Sequence, residues 1–315
     1  MIEMIVKRLL AGLLTLFILS TFLFFVMRSV PGDTVRLQLA DATVSEEQVA
    51  QFTAELGLDK PAWRQYFSWL GGVVQGDLGN SFEHRKPVTE VLAQRLPVTF
   101  ELAIFSIIIA LAIGPLSGMI SAIRRGKPTD GLLRLFSIVG LSVPNFLIGV
   151  LMITYLSLWF NYSAPFPYQN LWENPWNNFQ QMLLPAIALG LSVGAATSRM
   201  TRSSMLEVLG ADYIRTVRAK GATEQMINTK HAFRNSMIPV LTLVGLQFGA
   251  LLGGTVILES MFSLPGLGSQ VFESVGARDY PLIQAAAIVY GALFILVNIG
   301  VDLAYGLVDP RIRAS

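Results

Sequence analysis

The hydrophobic positions of the chain fall into six long blocks that are separated by polar segments. Each block approaches the roughly 20 residues that an α-helix needs to cross a bilayer. The blocks are 9–27, 98–123, 132–160, 183–200, 237–260 and 281–308. The first is too long and too uncharged for a signal peptide, and no small-residue cleavage site follows it. The pattern therefore predicts an all-α polytopic membrane protein with six transmembrane helices.

The polar segment after the first block is long, and its pattern predicts helices in it. Ser45 with Gln48 forms a capping box at the start of one helix, which is expected to end at Gly57. Pro61 opens a second helix whose aromatic residues recur at helical spacing. That stripe, formed by Trp63, Tyr66 and Phe67, either packs against the membrane surface or the spans, or docks an external partner.

These patterns divide the chain into three parts. Residues 1–27 form the N-terminal segment and first span, and residues 28–97 form a partly helical external loop domain. Residues 98–315 form a five-span core that contains a polar insert at 201–236.

Charge distribution predicts the orientation of the chain. With the N-terminus inside, the inside segments carry fifteen lysine and arginine residues, while the two short outside loops carry only Arg278. Positive residues in short loops favour the cytoplasmic side. Both termini and the insert at 201–236 are therefore expected to be cytoplasmic.

Composition narrows the chemistry. Hydrophobic residues make up 53% of the 315-residue chain, mean hydropathy is +0.55, and only 14% of residues are charged, whereas soluble domains are about 25% charged. The chain has no cysteine and only two distant histidines, His84 and His231, which argues against disulfides and thiolate or histidine metal sites. No nucleophile–base–orienter set is evident, which argues against a membrane enzyme.

The insert at 201–236 is basic and patterned as short helices. Ser204 with Glu207 forms a capping box, and Gly210 ends that helix. Asp212 is expected to cap the next helix, which stops at Gly221 with φ > 0. Thr223 is expected to cap a further helix that runs towards Phe233. The basic residues of this stretch are Arg215, Arg218, Lys220, Lys230 and Arg234, with Arg202 just upstream.

Two interpretations of the insert remain open on this pattern. A short amphipathic helix with a glycine turn can sit in a groove on another protein. A basic helix can also lie on anionic lipid.

Small residues within the spans predict close helix packing. Gly114 and Gly118 are four apart, as are Gly190 and Gly194. A ladder on one helical face is formed by Gly245, Gly249 and Gly253, and is expected to pack in a bundle.

Polar residues within the spans are candidates for a pathway or for packing. Asn298 and Asp302 share a face of the last span, with Asp302 near its cytoplasmic end. Glu101 and Glu259 lie near outer ends and are expected to reach water. Breaks are expected at Pro144 and Asn145 in the third block and at Pro185 in the fourth, either as simple kinks or as broken helices that line a pathway.

The stretch "DYIRTVRAKG" followed by "HAFRNSMIPV" resembles the inner-membrane permease signature of ABC importers, in its peptide-importer form. The general motif reads E-A-A, three residues, Gly, nine residues, I-x-L-P, and Gly221 matches its glycine. Arg215, Thr216 and Val217 occupy the E-A-A positions and fit the R-T-A of the peptide branch except at Val217. The stretches "VPGD", "LGLDKP", "GDLGNS", "LPGLG" and "RDYP" agree, so the resemblance covers nearly the whole chain.

The resemblance implies a B-type permease subunit of a peptide importer in the bacterial inner membrane, which is not itself an enzyme and carries no cofactor. The ATPase-coupling residues it implies are Asp212, Arg215, Thr216, Ala219, Lys220 and Gly221. The partners it implies are a second, different permease subunit, two ATP-binding subunits and an extracytoplasmic substrate-binding protein, in contact with lipid and without nucleic acid.

One observation independent of the resemblance agrees with it. The chain has no G-x-x-x-x-G-K-[ST] motif, so ATP would be hydrolysed on another chain that must push on this one. Alternative functions are a nickel or glutathione importer permease, or a secondary transporter that does not use ATP.

Overall fold

The structure is a computed structural model that describes residues 2–29, 46–55 and 58–308. The "VPGD" stretch at 30–33, the Ser45 cap and the Gly57 terminator lie outside the described residues. The helices, in chain order, are α1 (Ile2–Ser29), α2 (Glu46–Glu55), α3 (Ala62–Val74), α4 (Val88–Ile123), α5 (Pro128–Ser142), α6 (Asn145–Phe160), α7 (Pro175–Gly210), α8 (Asp212–Ala219), α9 (Glu224–Met226), α10 (Arg234–Gly254), α11 (Val256–Met261), α12 (Leu267–Ala277) and α13 (Tyr280–Val308). A π-helical stretch, Ile227–Phe233, joins α9 to α10.

The predicted all-α membrane fold is confirmed. Within the described residues, five helical stretches are long and apolar enough to cross a membrane: Val6–Ser29, Val88–Ile123, Pro175–Gly210, Glu224–Gly254 and Tyr280–Val301. The pair α5 and α6 brings the number to six if it forms one span. The expected count of six therefore depends on this pair.

The third apolar block is a sharp break and not a simple kink. Helices α5 and α6 meet at 101°. Proline has no N–H for the helical ladder, and it disfavours the α conformation in the residue before it. Val143 is accordingly extended, with φ −83° and ψ 124°, and Pro144 precedes the first turn of α6. At Pro185 the broken-helix interpretation is wrong, because α7 continues through this residue without interruption, and a simple kink there stays a prediction.

The chain divides into two compact units. One contains Met1–Thr99 and Pro265–Ile295, and the other contains Phe100–Leu264 and Leu296–Ser315. In the first unit, buried residues of α4, α12 and α13 form the core, among them Val88, Leu92, Leu267 and Leu282.

The aromatic stripe of α3 lies in the first unit and divides between two environments. Tyr66 is buried, stacks on Phe25 of α1, and shares a 2.8 Å hydrogen bond with Thr21. Trp63 and Phe67 remain more than half exposed. One side of α3 therefore packs on α1, as one of the two interpretations expected.

In the second unit, α4 and α7 pack with their backbones in close approach. A Cβ added at Gly114 would lie 2.7 Å from Cβ of Thr197, and one at Gly118 would lie 2.6 Å from Cβ of Thr201. Ser117 donates a 2.8 Å hydrogen bond to Ser198 across this contact. The predicted close packing at Gly114 and Gly118 is confirmed.

Candidate functional site

The exposed face of α8 contains the residues predicted to couple. Asp212, Arg215, Thr216, Ala219 and Lys220 are all exposed, as is Gly221 beyond the helix end. Ile214 is fully buried and Val217 is partly buried, so these two residues anchor the opposite face. The helix thus presents a short row of polar and small side chains to its surroundings.

The start of α8 differs from the prediction. Its N-cap is Ala211, and Asp212 is the first helical residue, where its side chain caps nothing. Asp212 instead forms a 3.5 Å ion pair with Arg215, and both side chains are largely exposed. A carboxylate in the first turn still interacts favourably with the positive end of the helix dipole.

The expected helix start at Ser204 is wrong. Ser204 lies inside the continuous helix α7 and is buried. The neighbouring Met205 packs with Ala122 and Ala232 in a core cluster, which requires the helix to continue through this position. Tertiary packing thus overrides the local capping pattern.

The end of α8 follows the prediction. Gly221 has φ +85°, a left-handed conformation that glycine adopts without steric cost. Its N–H donates to the carbonyl of Arg218 at 3.0 Å. A Cβ added at Gly221 would meet nothing within 4 Å, so only the backbone conformation demands glycine here.

The predicted Thr223 cap is confirmed, because its side chain accepts a hydrogen bond from the N–H of Met226 at 3.3 Å.

The helix after the glycine turn is less regular than expected. Helix α9 has only three residues, and the π-helical stretch Ile227–Phe233 then runs directly into α10. Asn235 donates a 2.8 Å hydrogen bond to the hydroxyl of Tyr213. This bond ties α8 to the first turn of α10, and no local sequence signal indicated it.

Charge on the exposed face is partly compensated. Arg218 donates to the two carboxylate oxygens of Glu224 at 2.7 Å and 3.3 Å across the glycine turn. This hydrogen bonding, followed by the charge of Glu224, raises the pKa of Arg218 from its ordinary value. Arg215 has only its longer contact with Asp212. Arg215 and Lys220 therefore supply the positive charge that this face can offer to a partner.

The glycine ladder of α10 is only partly a packing face. A Cβ at Gly245 would clash with the side chain of Val301 in α13, and Gly249 is buried. At Gly253 an added Cβ would meet nothing within 4 Å in this chain, so the packing role of this residue stays a prediction. The close contact with α13 at Gly245 does not recur two turns along, near the end of α10.

Of the two polar residues predicted to share a face of the last span, only the side chain of Asn298 is described. Asn298 is partly buried, and its Oδ1 has no hydrogen-bond partner. The side chain of Asp302 lies outside the described residues. The predicted pairing on one face therefore stays a prediction.

The two carboxylates near the outer span ends differ from the expectation. Glu259 is fully buried and accepts a 2.6 Å hydrogen bond from Thr255, so it does not reach water. Glu101 is partly buried and accepts hydrogen bonds from Tyr168 and Asn178, both at 3.3 Å. Burial, followed by the charge of Glu101, raises the pKa of the Tyr168 phenol.

A cavity of about 230 Å³ in the second unit is lined by α6, by the loop before α7, by the first turns of α7 and by residues at the end of α11 and just after it. Its polar lining includes Tyr162, Tyr168, Gln181 and Ser263. Gln181 donates hydrogen bonds from its Nε2 to the carbonyl oxygens of Pro165 and Pro167.

Among residues 2–29, 46–55 and 58–308, no group of three or more His, Asp or Glu side chains could hold a metal ion.

Two family models match the chain. Residues 114–314 match the binding-protein-dependent transport system inner membrane component. Residues 1–103 match the N-terminal membrane component of binding-protein-dependent transport systems.

Full-length relatives share about two fifths of the sequence. The dipeptide transport system permease protein DppB of Lactococcus lactis subsp. cremoris is 40% identical over 314 residues, covering 99% of this chain and 100% of the relative. DppB of Escherichia coli K12 is 39% identical over 336 residues, covering 99% of each. The glutathione transport system permease protein GsiC of Escherichia coli K12 is 39% identical over 313 residues, covering 99% of each.

Solved structures share the fold at low identity. The inward-facing MetNI methionine ABC transporter matches with a TM-score of 0.53 at 17% identity, covering 70% of this chain and 97% of the matched chain. An amino acid ABC transporter crystallised with histidines matches with a TM-score of 0.54 at 17% identity, covering 69% and 94%. These likenesses support the membrane-component fold.

Proposed function

Because this chain belongs to the binding-protein-dependent transport system inner membrane component family, as a permease subunit of an ATP-driven importer, we propose that it carries short peptides and that α8 couples it to the ATPase. A permease without a phosphate-binding loop must receive the work of ATP hydrolysis through a contact with another subunit. The proposal concerns which surface makes that contact and what is carried.

The exposed face of α8 is the observation that carries the proposal. It combines an anchor, Ile214, with a projecting row that includes Arg215 and Lys220. Gly221 ends the helix abruptly with φ +85°, and Tyr213 is tied to the start of α10. A short helix with one face packed on its own protein and the opposite face exposed can fit a groove on a partner protein. A lipid-bound helix would instead bury an apolar face in the membrane, whereas the apolar face of α8 is buried within the protein.

The assembly that we propose has four kinds of contact. A second, different permease subunit forms a heterodimer with this chain, and two ATP-binding subunits dock from the cytoplasm, where both termini and the segment 201–236 lie. A substrate-binding protein delivers cargo from the outside, and lipid surrounds the spans.

The proposed cargo follows from the relatives. Two relatives of about 40% identity over 99% of this chain are named for dipeptide transport, and a third is named for transport of glutathione, itself a short peptide. Short peptides are the shared chemistry. The competing proposal is that the cargo is a nickel chelate. The two are compared by loading the binding protein of the same system with each cargo.

The test reverses charge on α8. In the reconstituted complex, the double variant Arg215→Glu, Lys220→Glu is expected to lose stimulation of ATPase activity by the peptide-loaded binding protein. Like charges brought together at an interface cost several kcal/mol. The measurements are ATPase activity with and without the loaded binding protein, and retention of the ATPase subunit on the purified permease.

A matched control changes the same charge elsewhere. Arg124→Glu, Arg125→Glu reverses two exposed charges in the turn between α4 and α5 and is expected to keep stimulation and assembly. If the α8 variant keeps the bound ATPase subunit and full stimulation of ATPase activity, α8 does not form the coupling contact. Stimulation by a nickel chelate and not by dipeptides or glutathione would overturn the proposed cargo.

A further inference from the structure

A buried carboxylate joins three helices close to α8. Asp130, in the first turn of α5, is only 3% exposed. Arg202 of α7 donates to both of its oxygens, from Nε at 2.9 Å and from Nη2 at 3.0 Å. Ser121 at the end of α4 donates at 2.6 Å, and the backbone N–H of Gly126 donates at 3.0 Å. All four groups belong to the second unit. We call Asp130 and Arg202 the clamp pair.

The hydrogen-bonding geometry of the clamp pair fixes how its two side chains are oriented. A guanidinium that donates two parallel bonds to a carboxylate fixes both distance and orientation, which a lysine cannot do. Each oxygen of Asp130 also accepts one further bond, from Ser121 or Gly126. The pair is therefore fully hydrogen-bonded where it is buried, and removal of one partner leaves a charge uncompensated.

Two other ion pairs among the described residues lie in a more exposed setting. Arg218 and Glu224 are 48% and 63% exposed, and Lys86 and Glu90 are 59% and 48% exposed. Exposed pairs of this kind contribute little to stability. The clamp pair, at 23% and 4% exposure, is the exception among these.

The position of the clamp pair relates it to α8. Arg202 lies on α7, which continues without a break to Gly210, and a single residue, Ala211, separates Gly210 from α8. On the other side of Arg202, α7 contacts α4 backbone to backbone at Gly114 and Gly118. Because Tyr213 is also hydrogen-bonded to Asn235, a displacement of α8 acts on α7 as well as on the start of α10. The clamp pair links α7 to the first turn of α5, and Ser121 at the end of α4 donates to the same carboxylate.

We propose that Asp130 and Arg202 are positioning residues that make α4 and α5 move with α7 when the ATPase displaces α8. The inference rests on the proposed coupling role of α8. The two residues act by transmitting a displacement of α7 to α4 and α5.

The first experiment measures coupling in the reconstituted complex. Arg202→Gln is expected to lower stimulation of ATPase activity by the loaded binding protein by about tenfold, which lies within the ~5–150-fold range of coupling between sites. Arg202→Lys, which keeps the charge without the fork, is expected to lower it by a smaller factor. Both variants are expected to retain the ATPase subunit. Glu90→Gln, which breaks an exposed pair, is the matched control and is expected to change nothing.

The second experiment measures whether α5 and α7 move together. An ion pair that only stabilises the fold would not control this movement. Since the chain has no cysteine, spin labels can be placed at Arg134→Cys on α5 and Glu207→Cys on α7, both exposed. The distance distribution between them is expected to stay narrow in nucleotide-free and ATP-trapped complexes. In Arg202→Gln and Arg202→Lys it is expected to broaden or to shift between the two states.

The outcomes separate this inference from the proposed function. If Arg215→Glu, Lys220→Glu loses stimulation while Arg202→Gln keeps it, the clamp proposal fails and the role of α8 stands. Loss of the ATPase subunit together with stimulation in Arg202→Gln would assign the pair to assembly and overturn the proposal. If Arg202→Gln is not recovered from the membrane, Arg202→Lys decides, and unchanged stimulation with an unchanged distance distribution overturns it. If the α8 variant keeps full stimulation, the proposed function itself fails.

Discussion

At the scale of single residues, Gly221 separates a backbone requirement from a packing requirement. It adopts φ +85° in open surroundings, with nothing within 4 Å of an added Cβ. The left-handed conformation costs a residue with a side chain roughly 1–2 kcal/mol, and a β-branched residue resists it most. A substitution here therefore acts on the shape of the turn after α8 and not on packing.

Gly221→Val is predicted to abolish transport without removing the protein from the membrane. The spans do not depend on this turn, whereas the exposed face of α8 does. Gly210→Val is the matched control, because Gly210 also has open space around it but no positive φ. Transport and membrane abundance are measured for both, and Gly221→Asn is expected to retain partial activity since asparagine tolerates this conformation. Normal transport by Gly221→Val would contradict the assigned turn.

Local chemistry predicted some residues of the site and missed others. Gly221 and Thr223 were predictable because a turn with φ > 0 and an N-cap leave short-range signals. The capping box at Ser204 failed because packing around Met205 extends the helix past it. The contact between Asp130 and Arg202 was beyond prediction, since the two residues are 72 positions apart and each pattern taken alone gives only a charge near a span end.

At the scale of elements, glycines mark where helices approach closely only if a neighbour is present. Gly118 of α4 faces the backbone of α7 so closely that an added Cβ would clash with the carbonyl oxygen of Ser198. Gly253 of α10 carries the same sequence signature but faces open space. The four-residue spacing thus predicts a smooth face, and the partner has to be found in three dimensions.

Gly118→Ala is predicted to destabilise the protein, and Gly253→Ala is predicted to be nearly neutral. The first substitution drives a methyl group against backbone, which cannot move without separating α4 from α7, and overpacking of this kind costs typically 1–3 kcal/mol. The second removes a flexible glycine from a helix, where alanine is favoured by up to ~1 kcal/mol. Thermal unfolding of the purified permease in detergent measures both. Equal midpoints for the two variants would contradict the close α4–α7 contact.

The membrane-spanning helices were largely predictable from the hydrophobic blocks. The exception is the third block, which forms two helices and not one. A continuous apolar stretch cannot reveal that α5 and α6 turn by 101°, because lipid or protein can cover both halves equally well. Pro144 indicated an interruption, but its size is set by the packing around it.

At the scale of the whole molecule, orientation is the prediction on which the assignment of inside and outside surfaces depends. The distribution of lysine and arginine predicts that α8 lies in the cytoplasm and α3 outside. Family membership supports a multi-pass inner-membrane protein, and sidedness is open to a direct measurement.

Single-cysteine variants are predicted to label from opposite sides. The chain lacks cysteine, so Gln75→Cys after α3 and Thr216→Cys on α8, both exposed, can be introduced one at a time. A membrane-impermeant maleimide is expected to label Gln75→Cys in spheroplasts and Thr216→Cys only after permeabilisation. The unsubstituted chain is the control. The reverse pattern would invert the orientation and remove α8 from reach of a cytoplasmic ATPase.

Helix α7 is longer than the apolar layer of a membrane is thick. Its 36 residues rise about 54 Å, whereas the hydrocarbon layer is about 30 Å thick. The helix therefore extends well beyond the apolar layer. A tilt of roughly 10° about its midpoint would swing each end by about 5 Å at this rise per residue. If the ATPase displaces α8 as proposed, such a tilt of α7 would carry a displacement of similar size to the far end of the helix, about 50 Å away.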